Sequence, residues 1–336
     1  MAYLCIYLKH KWTLPYKQAP TYRWGMASQF VRKLAVFASK HRIKLLAVSC
    51  GGLFVANAFC HVFPQRTYGK LYQAWSRGVP AQLSDKLQNT FQEVLKDAGV
   101  DSAPNYAAFS AFSFQPVSAG VPWLPAGAIV GIPANFNSSA DEGKGITNRI
   151  VMINGRDVKW DSEVGKALRE SLTFSSDAQK FAIAREIIYL QSNSPIIHSL
   201  VGSACLAGTY LTGVAAKQAL GLYSGPLMLR GFYNLAVAAM GLVGYFLLSD
   251  AVSHWLDYRS DRRTATISKN YAEGGIEFYD KVLARNKTFR SLLGKKGVEM
   301  YATNGNLFPK HWFRLKHAPY TSRKEMIENT LKDCWM

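Results

Sequence analysis

A chain of 336 residues with 40 Lys+Arg against 22 Asp+Glu carries a formal charge of +18. Such a balance suits nucleic acid, an anionic membrane surface or an import signal. Nucleic acid is disfavoured, since the sequence holds no zinc-finger spacing, RNP-like motif or glycine-arginine tract.

Residues 1–44 read as a basic N-terminal extension or targeting segment. Up to residue 63 there are nine basic residues and no acidic one, and the first acid is Asp85. An acid-free basic stretch has the character of an organellar import signal. From Met26 the pattern is amphipathic: Phe30, Leu34 and Phe37 share a helical face while Arg32, Lys33, Lys40 and Arg42 supply charge. Two readings stay open, a cleaved presequence and a basic membrane flank, with initiation at Met1 or at Met26.

Residues 45–63 form an uncharged run that ends at Pro64. It is long enough for a transmembrane helix, which needs roughly 17–25 apolar residues. Ser49, Asn57 and the Gly51-Gly52 pair also allow a buried or interfacial helix. The five cysteines (Cys5, Cys50, Cys60, Cys205, Cys334) make no metal or disulfide framework.

Residues 64–195 read as a soluble α+β part. In 81–99, Leu83, Leu87, Phe91, Val94 and Leu95 recur at helical spacing, with Ser84 as N-cap and Gly99 as stop. Short strands follow around Phe109, Phe112, Phe114, Val117 and Trp123 and in the run AIVGIP, Ala128–Pro133. A hairpin pairing 150–154 with 158–160 is expected around Gly155, then a helix over 162–173. Ser175-Ser176-Asp177 caps a longer helix over 178–191.

Residues 196–249 read as a transmembrane hairpin. Its two uncharged runs, 196–216 and 231–249, are rich in glycine and alanine, which lets helix backbones approach closely in lipid. Gly225-Pro226 marks the turn, bracketed by Lys217 and Arg230. A two-span hairpin returns the chain to the side it left, so the helical part 250–336 can pack with 64–195. That last part shows an apolar stripe at Ile276, Tyr279, Val282 and Leu283, with a break expected at Gly274-Gly275. Short helices are expected at 289–293 and 326–331, around a basic-aromatic stretch at 309–320.

The chemistry-bearing pattern is Arg185-Glu186-Ile187-Ile188-Tyr189. It has the outline of a helical HExxH zinc motif, in which two histidines at i and i+4 hold the metal and the glutamate activates water. Glu186 keeps the base position. Arg185 cannot ligate because its guanidinium stays protonated, and Tyr189 is a poor substitute. After the hairpin come Asp257 and Asp261, and near the end His317-Ala318-Pro319 leads to Arg323. In this order the elements resemble the gluzincin-type membrane metallopeptidases, CAAX-prenyl and HtpX-like. That likeness implies a hairpin after the motif helix, a third zinc ligand at Asp257, and AIVGIP as the edge strand above the cleft. With both histidines lost, it implies a degenerate, inactive domain. Arg185 is then expected to stand in for the metal charge and pair with Asp257 or Asp261.

Longer blocks resemble the transmembrane protein 177 family: 114–136, 177–192, 261–268, 274–283 and 314–323. The resemblance runs from about Met26 to the C-terminus. It implies a multi-pass protein of the mitochondrial inner membrane that aids biogenesis of cytochrome c oxidase subunit II. Its partners would be that subunit, the small membrane chaperone that holds it, and inner-membrane lipid. No cofactor, metal or catalytic residue comes with such a role. The positive-inside tendency leans the soluble part to the matrix, while a spanning first segment with a matrix-facing basic N-terminus would reverse it.

The expected fold is therefore an α+β membrane protein, mostly helical, with two to three transmembrane helices and a degenerate zinc-peptidase-like domain carrying a small β-sheet. The expected function is a non-enzymatic assembly factor that captures chain beside Ala128, Ile129, Val130, Gly131, Ile132 and Pro133. The alternative is a divergent membrane-bound hydrolase using Glu186, Asp257 or His198. An ion transporter is disfavoured, because the spans hold no charged residue to mark a path.

Overall fold

The computed structural model describes residues 29, 30, 33, 36–38, 40–76, 78–137, 152, 153, 155–309 and 314–335. The chain divides into two compact units, Met1–Ser49 and Cys50–Met336. In the first, the described residues are helical apart from a turn at His41. Of the expected targeting stretch, residues 26–28, 31, 32, 34, 35 and 39 lie outside the described residues.

Among the described residues three helices are long and apolar enough to cross a bilayer, so the 45–63 run counts as a candidate span beside the two runs of the hairpin. Helix α1 is Arg42–Val62, and it ends where Pro64 withholds a backbone donor. The hairpin comprises Ser194–Ala219 and the 39-residue Leu227–Ala265. At 1.5 Å per residue the second of these is about 58 Å long, nearly twice a bilayer's hydrocarbon core. Its C-terminal third therefore emerges from the apolar run as a soluble helix, without a break.

Within the hairpin two glycines make room for side chains of the facing helix. A Cβ on Gly213 would meet Val237 at 2.8 Å, and one on Gly241 would meet Thr209 at 2.4 Å. At the turn, Lys217 donates to Asn234 Oδ1 (2.6 Å) and lies over the rings of Tyr223 and Tyr233. That placement suits the headgroup region, where amphipathic side chains gather.

The part outside the apolar runs is built from strands and helices in the expected order. A two-stranded ribbon, β1 (Trp75–Ser76) with β2 (Val79–Pro80), precedes helix α2, Asp85–Asp97. Ser84 caps α2 by accepting from Leu87 N, and Gly99 follows it at φ +64°. Strands β3 (Tyr106–Ala111), β4 (Val117–Gly120) and β5 (Ala128–Pro133) form one sheet in the order β3-β5-β4. Strand β3 runs parallel to β5 and β4 antiparallel to it. A second ribbon, β6 (Met152–Ile153) and β7 (Arg156–Asp157), turns at Gly155 as expected, but its second strand is 156–157 rather than 158–160.

The sheet corrects one expectation. AIVGIP is the central strand and all six residues are buried, so Ala128, Ile129, Val130, Gly131, Ile132 and Pro133 offer no edge for an added chain. An unbroken apolar run is the pattern of a strand covered on both faces, which the sequence alone does not distinguish from an edge. In the order β3-β5-β4 both outer strands are edges: β3 is bridged at Ala111 by Gln73, and β4 has no further strand beside it among the described residues.

Helix α3 is Glu163–Leu172 and α4 is Ser176–Gln191, capped by Ser162 and Ser175. The hairpin helices are α5 and α6 in chain order. After them come α7 (Lys269–Leu292), α8 (Lys295–Met300) and α9 (Tyr320–Trp335). The break expected at Gly274-Gly275 falls instead at 266–268, where Ser268 caps α7. Both glycines sit inside α7 because α4 passes there. A Cβ on Gly274 would lie 2.4 Å from the Asp177 backbone, and one on Gly275 would lie 2.6 Å from the Phe181 ring. The core gathers Phe136, Phe174, Phe181, Phe278 and Tyr279 between α4, α7 and the sheet. Each such side chain contributes roughly 1.5–3 kcal/mol by leaving water.

Candidate functional site

Helix α4 carries Arg185, Glu186 and Tyr189 amid Ile183, Ala184, Ile187 and Ile188, all buried. That apolar surround holds the helix between sheet and α7 and forces its few polar groups to find partners inside. The soluble third of α6 supplies Asp257 and Asp261, one turn apart and both almost fully buried. Helix α9 supplies Arg323 and α7 supplies Tyr279.

These groups form one charge cluster. Arg185 Nη1 is 3.3 Å from Glu186 Oε1 and Nη2 is 3.5 Å from Asp257 Oδ1. Its Nε lies 3.2 Å from Asp261 Oδ1, at ion-pair distance but without hydrogen-bond alignment. The pairing expected from the sequence is thus present with both aspartates. Arg323 forks onto Asp261 through Nε (2.6 Å) and Nη2 (2.9 Å), and its Nη1 reaches Asp257 at 3.3 Å. Tyr279 donates to Asp261, and the Ala318 N–H donates to Asp257 Oδ2. His317 Nδ1 is 3.4 Å from the same oxygen. Ser118, on β4, donates to Glu186 Oε2 at 2.5 Å.

Burial and the nearby Arg323 oppose the charge on Arg185, yet Tyr279, Glu186 and Asp261 together hold its pKa above the ordinary value. Burial, with Glu186 and Asp257 close by, pushes the Tyr189 phenol well up. Tyr189 is therefore a neutral phenol, poorly suited to give up its proton to a metal.

The donor set does not fit a dication. Two guanidiniums already occupy the carboxylates, and a metal brought to them would meet both positive charges. Among the described residues no group of three His, Cys, Asp or Glu side chains converges as a metal site.

A cavity of about 510 Å³ opens beside the cluster, lined by Arg185, Glu186, Tyr189, His198 and Asp257 with residues 113–118. His198 thus joins the other candidates, its ring 6.4 Å from that of Tyr189. Residues 128–133 stand apart from it. The sequence pattern placed Arg323 after His317-Ala318-Pro319 and Tyr279 in an apolar stripe without giving either a charge partner, and it singled out neither Ser118 nor Arg285. Each lies far along the chain from the motif helix, and no spacing rule connects them.

Fold and site together define a multi-pass membrane protein with three candidate spans and a helical domain locked by buried charge. The chain belongs to the transmembrane protein 177 family: the family model described as Transmembrane protein 177 matches residues 126–309. It is 56% identical to the Danio rerio protein of that name over 308 residues, covering 92% of this chain and 99% of the relative. The Xenopus laevis relative is 55% identical over 306 residues (91% and 99%), and the Homo sapiens relative 48% over 295 residues (88% and 94%). No solved structure matches the chain.

Proposed function

We propose that this protein is a non-enzymatic assembly factor of the mitochondrial inner membrane. Its spans sit among partner helices, and its soluble part, on the matrix side, holds polypeptide without cutting it. The client is newly made cytochrome c oxidase subunit II together with that subunit's membrane chaperone. The basic, acid-free N-terminal stretch and the family's resemblance blocks support the location and the client.

The observation that carries the non-catalytic reading is Arg185 lying within 3.5 Å of Glu186, Asp257 and Asp261. A hydrolase of the resembling class needs a cation there to acidify water and a glutamate free to take the proton. Here a fixed guanidinium fills the space, and Glu186 is tied to Ser118 and Arg185. Capture of chain is moved from β5 to the cavity beside β4, where strand addition has an unpaired side to use.

Cells lacking the protein and re-expressing Glu186→Gln test this. Full recovery of newly labelled subunit II is expected, since glutamine still accepts from Ser118. Failure of that variant at normal abundance, or stoichiometric zinc on the purified wild type, would favour the hydrolase instead.

A further inference from the structure

Arg285, on α7, is a buried cation that the fold leaves without a counter-charge. Its side chain is 6% exposed, and among the described residues no carboxylate lies within ion-pair distance. Nη1 donates to the Phe114 carbonyl and Nη2 to Asn286 Oδ1, both at 3.2 Å, and the guanidinium lies over the Phe114 ring. Nε has no partner. Of five N–H donors, three stay unused. Burial pushes the Arg285 pKa below its ordinary value, the direction of a charge that lacks compensation. The guanidinium nevertheless stays protonated at any ordinary pH. A buried charge of this kind is costly unless something supplies the opposite sign.

Arg285 lines the same 510 Å³ cavity as Glu186 and Asp257, with Gln115, Tyr301 and Tyr320 around it. We propose that Arg285 is the anion receptor of this cavity and takes the carboxylate of an extended polypeptide segment. This rests on the reading above that the domain holds a chain, and it names the chemistry of what is held. A single carboxylate adds the least charge: the neighbouring cluster's three carboxylates against two guanidiniums leave one negative charge, which Arg285 offsets in sum without a direct pair, so a phosphate dianion would bring twice the unfavourable charge of a monoanion. An extended chain fits the shape, because residues 113–118, leading into β4, form one side of the cavity. Main-chain hydrogen bonds along that side would hold the segment, and Arg285 would select one acidic side chain.

The full-length protein in neutral phosphatidylcholine nanodiscs would be titrated with an acetylated, amidated hexapeptide. It carries one central glutamate among valines and threonines, and its twin carries glutamine. The glutamate peptide is expected to bind about tenfold tighter, the scale of a charge-assisted hydrogen bond. Arg285→Gln should erase the difference, and Arg285→Lys, which keeps charge and most of the volume, should retain part of it. Equal affinity of the two peptides for wild type overturns the role of Arg285 and leaves chain holding intact. Binding of neither peptide overturns both. Displacement of the glutamate peptide by inorganic phosphate, or only by nanodiscs containing phosphatidylglycerol, makes the site a phosphate or a lipid-headgroup receptor and ends the carboxylate assignment.

Discussion

Arg323 and Asp261 meet in the interior as a bidentate pair, Nε to Oδ2 at 2.6 Å and Nη2 to Oδ1 at 2.9 Å. Both side chains are almost wholly removed from water. Tyr279 donates to the same carboxylate and Arg185 adds its charge from α4. Four helices, α4, α6, α7 and α9, therefore converge on one aspartate. The soluble end of a membrane-spanning helix is held by charge at its tip rather than by apolar contact alone.

That arrangement makes single substitutions severe. Removing one partner of a buried ion pair strands the other, at a cost of about 3–5 kcal/mol. Asp261→Asn and Arg323→Met should each lower the unfolding free energy of the detergent-solubilised protein by that order, read from the shift in its denaturation midpoint. Groups sharing one network do not act independently, so the double variant should lose less than the sum by about 1 kcal/mol or more. Strict additivity in denaturant melts would show that the two groups are not coupled.

Gly274→Ala tests the close crossing of α4 and α7. The added methyl would lie 2.4 Å from the Asp177 carbonyl group, which is backbone and cannot rotate aside. Overpacking of this kind costs about 1–3 kcal/mol. Gly208→Ala, in the hairpin with nothing within 4 Å, should leave stability nearly unchanged. Equal melting of the two variants would mean that the crossing relaxes freely.

How much of this was legible follows from which signals are local. The caps at Ser84 and Ser175 and the stop at Gly99 were readable because each acts within one turn. The apolar runs located the three spans for the same reason. Gly274-Gly275 misled, because a glycine pair that breaks an isolated helix is also the pair that lets a neighbouring helix approach. AIVGIP misled because burial on both faces leaves no alternation to reveal its neighbours. Arg185 with Asp257 and Asp261 could be anticipated from a motif order. Arg285 could not, since its surroundings come from residues 113–118, 301 and 320, brought together only by the tertiary fold.

Alkaline titration should expose the buried phenols. Burial pushes Tyr106 up to about 12, and burial with the hydrogen bond to Asp97 drives Tyr271 upward as well. Burial likewise raises Tyr279. A phenol whose folded pKa exceeds the unfolded value of about 10 keeps its full stabilising effect below pH ~10. That contribution is lost as pH climbs from there toward 12, since only the unfolded chain then releases its proton. Ultraviolet phenolate absorbance of these residues should therefore rise together with loss of helical circular dichroism, and Tyr106→Phe should broaden the stable range. Complete ionisation near pH 10 with helicity intact would refute the burial of these rings.

The hairpin makes a geometric prediction about sidedness. Helix α5 has 26 residues, about 39 Å, enough to cross once, and Lys217 marks its far end. Asp101 and Cys334 should then lie on one face of the membrane and Tyr223, half-exposed in the turn, on the other. Single-cysteine forms with Cys334 alone, Asp101→Cys or Tyr223→Cys can be probed in intact and opened membrane vesicles with an impermeant maleimide. The first two are expected to react under the same condition and the third under the opposite one. Labelling of all three from one side would mean that α5 and α6 do not cross, and that the apolar faces they expose are covered by protein rather than lipid.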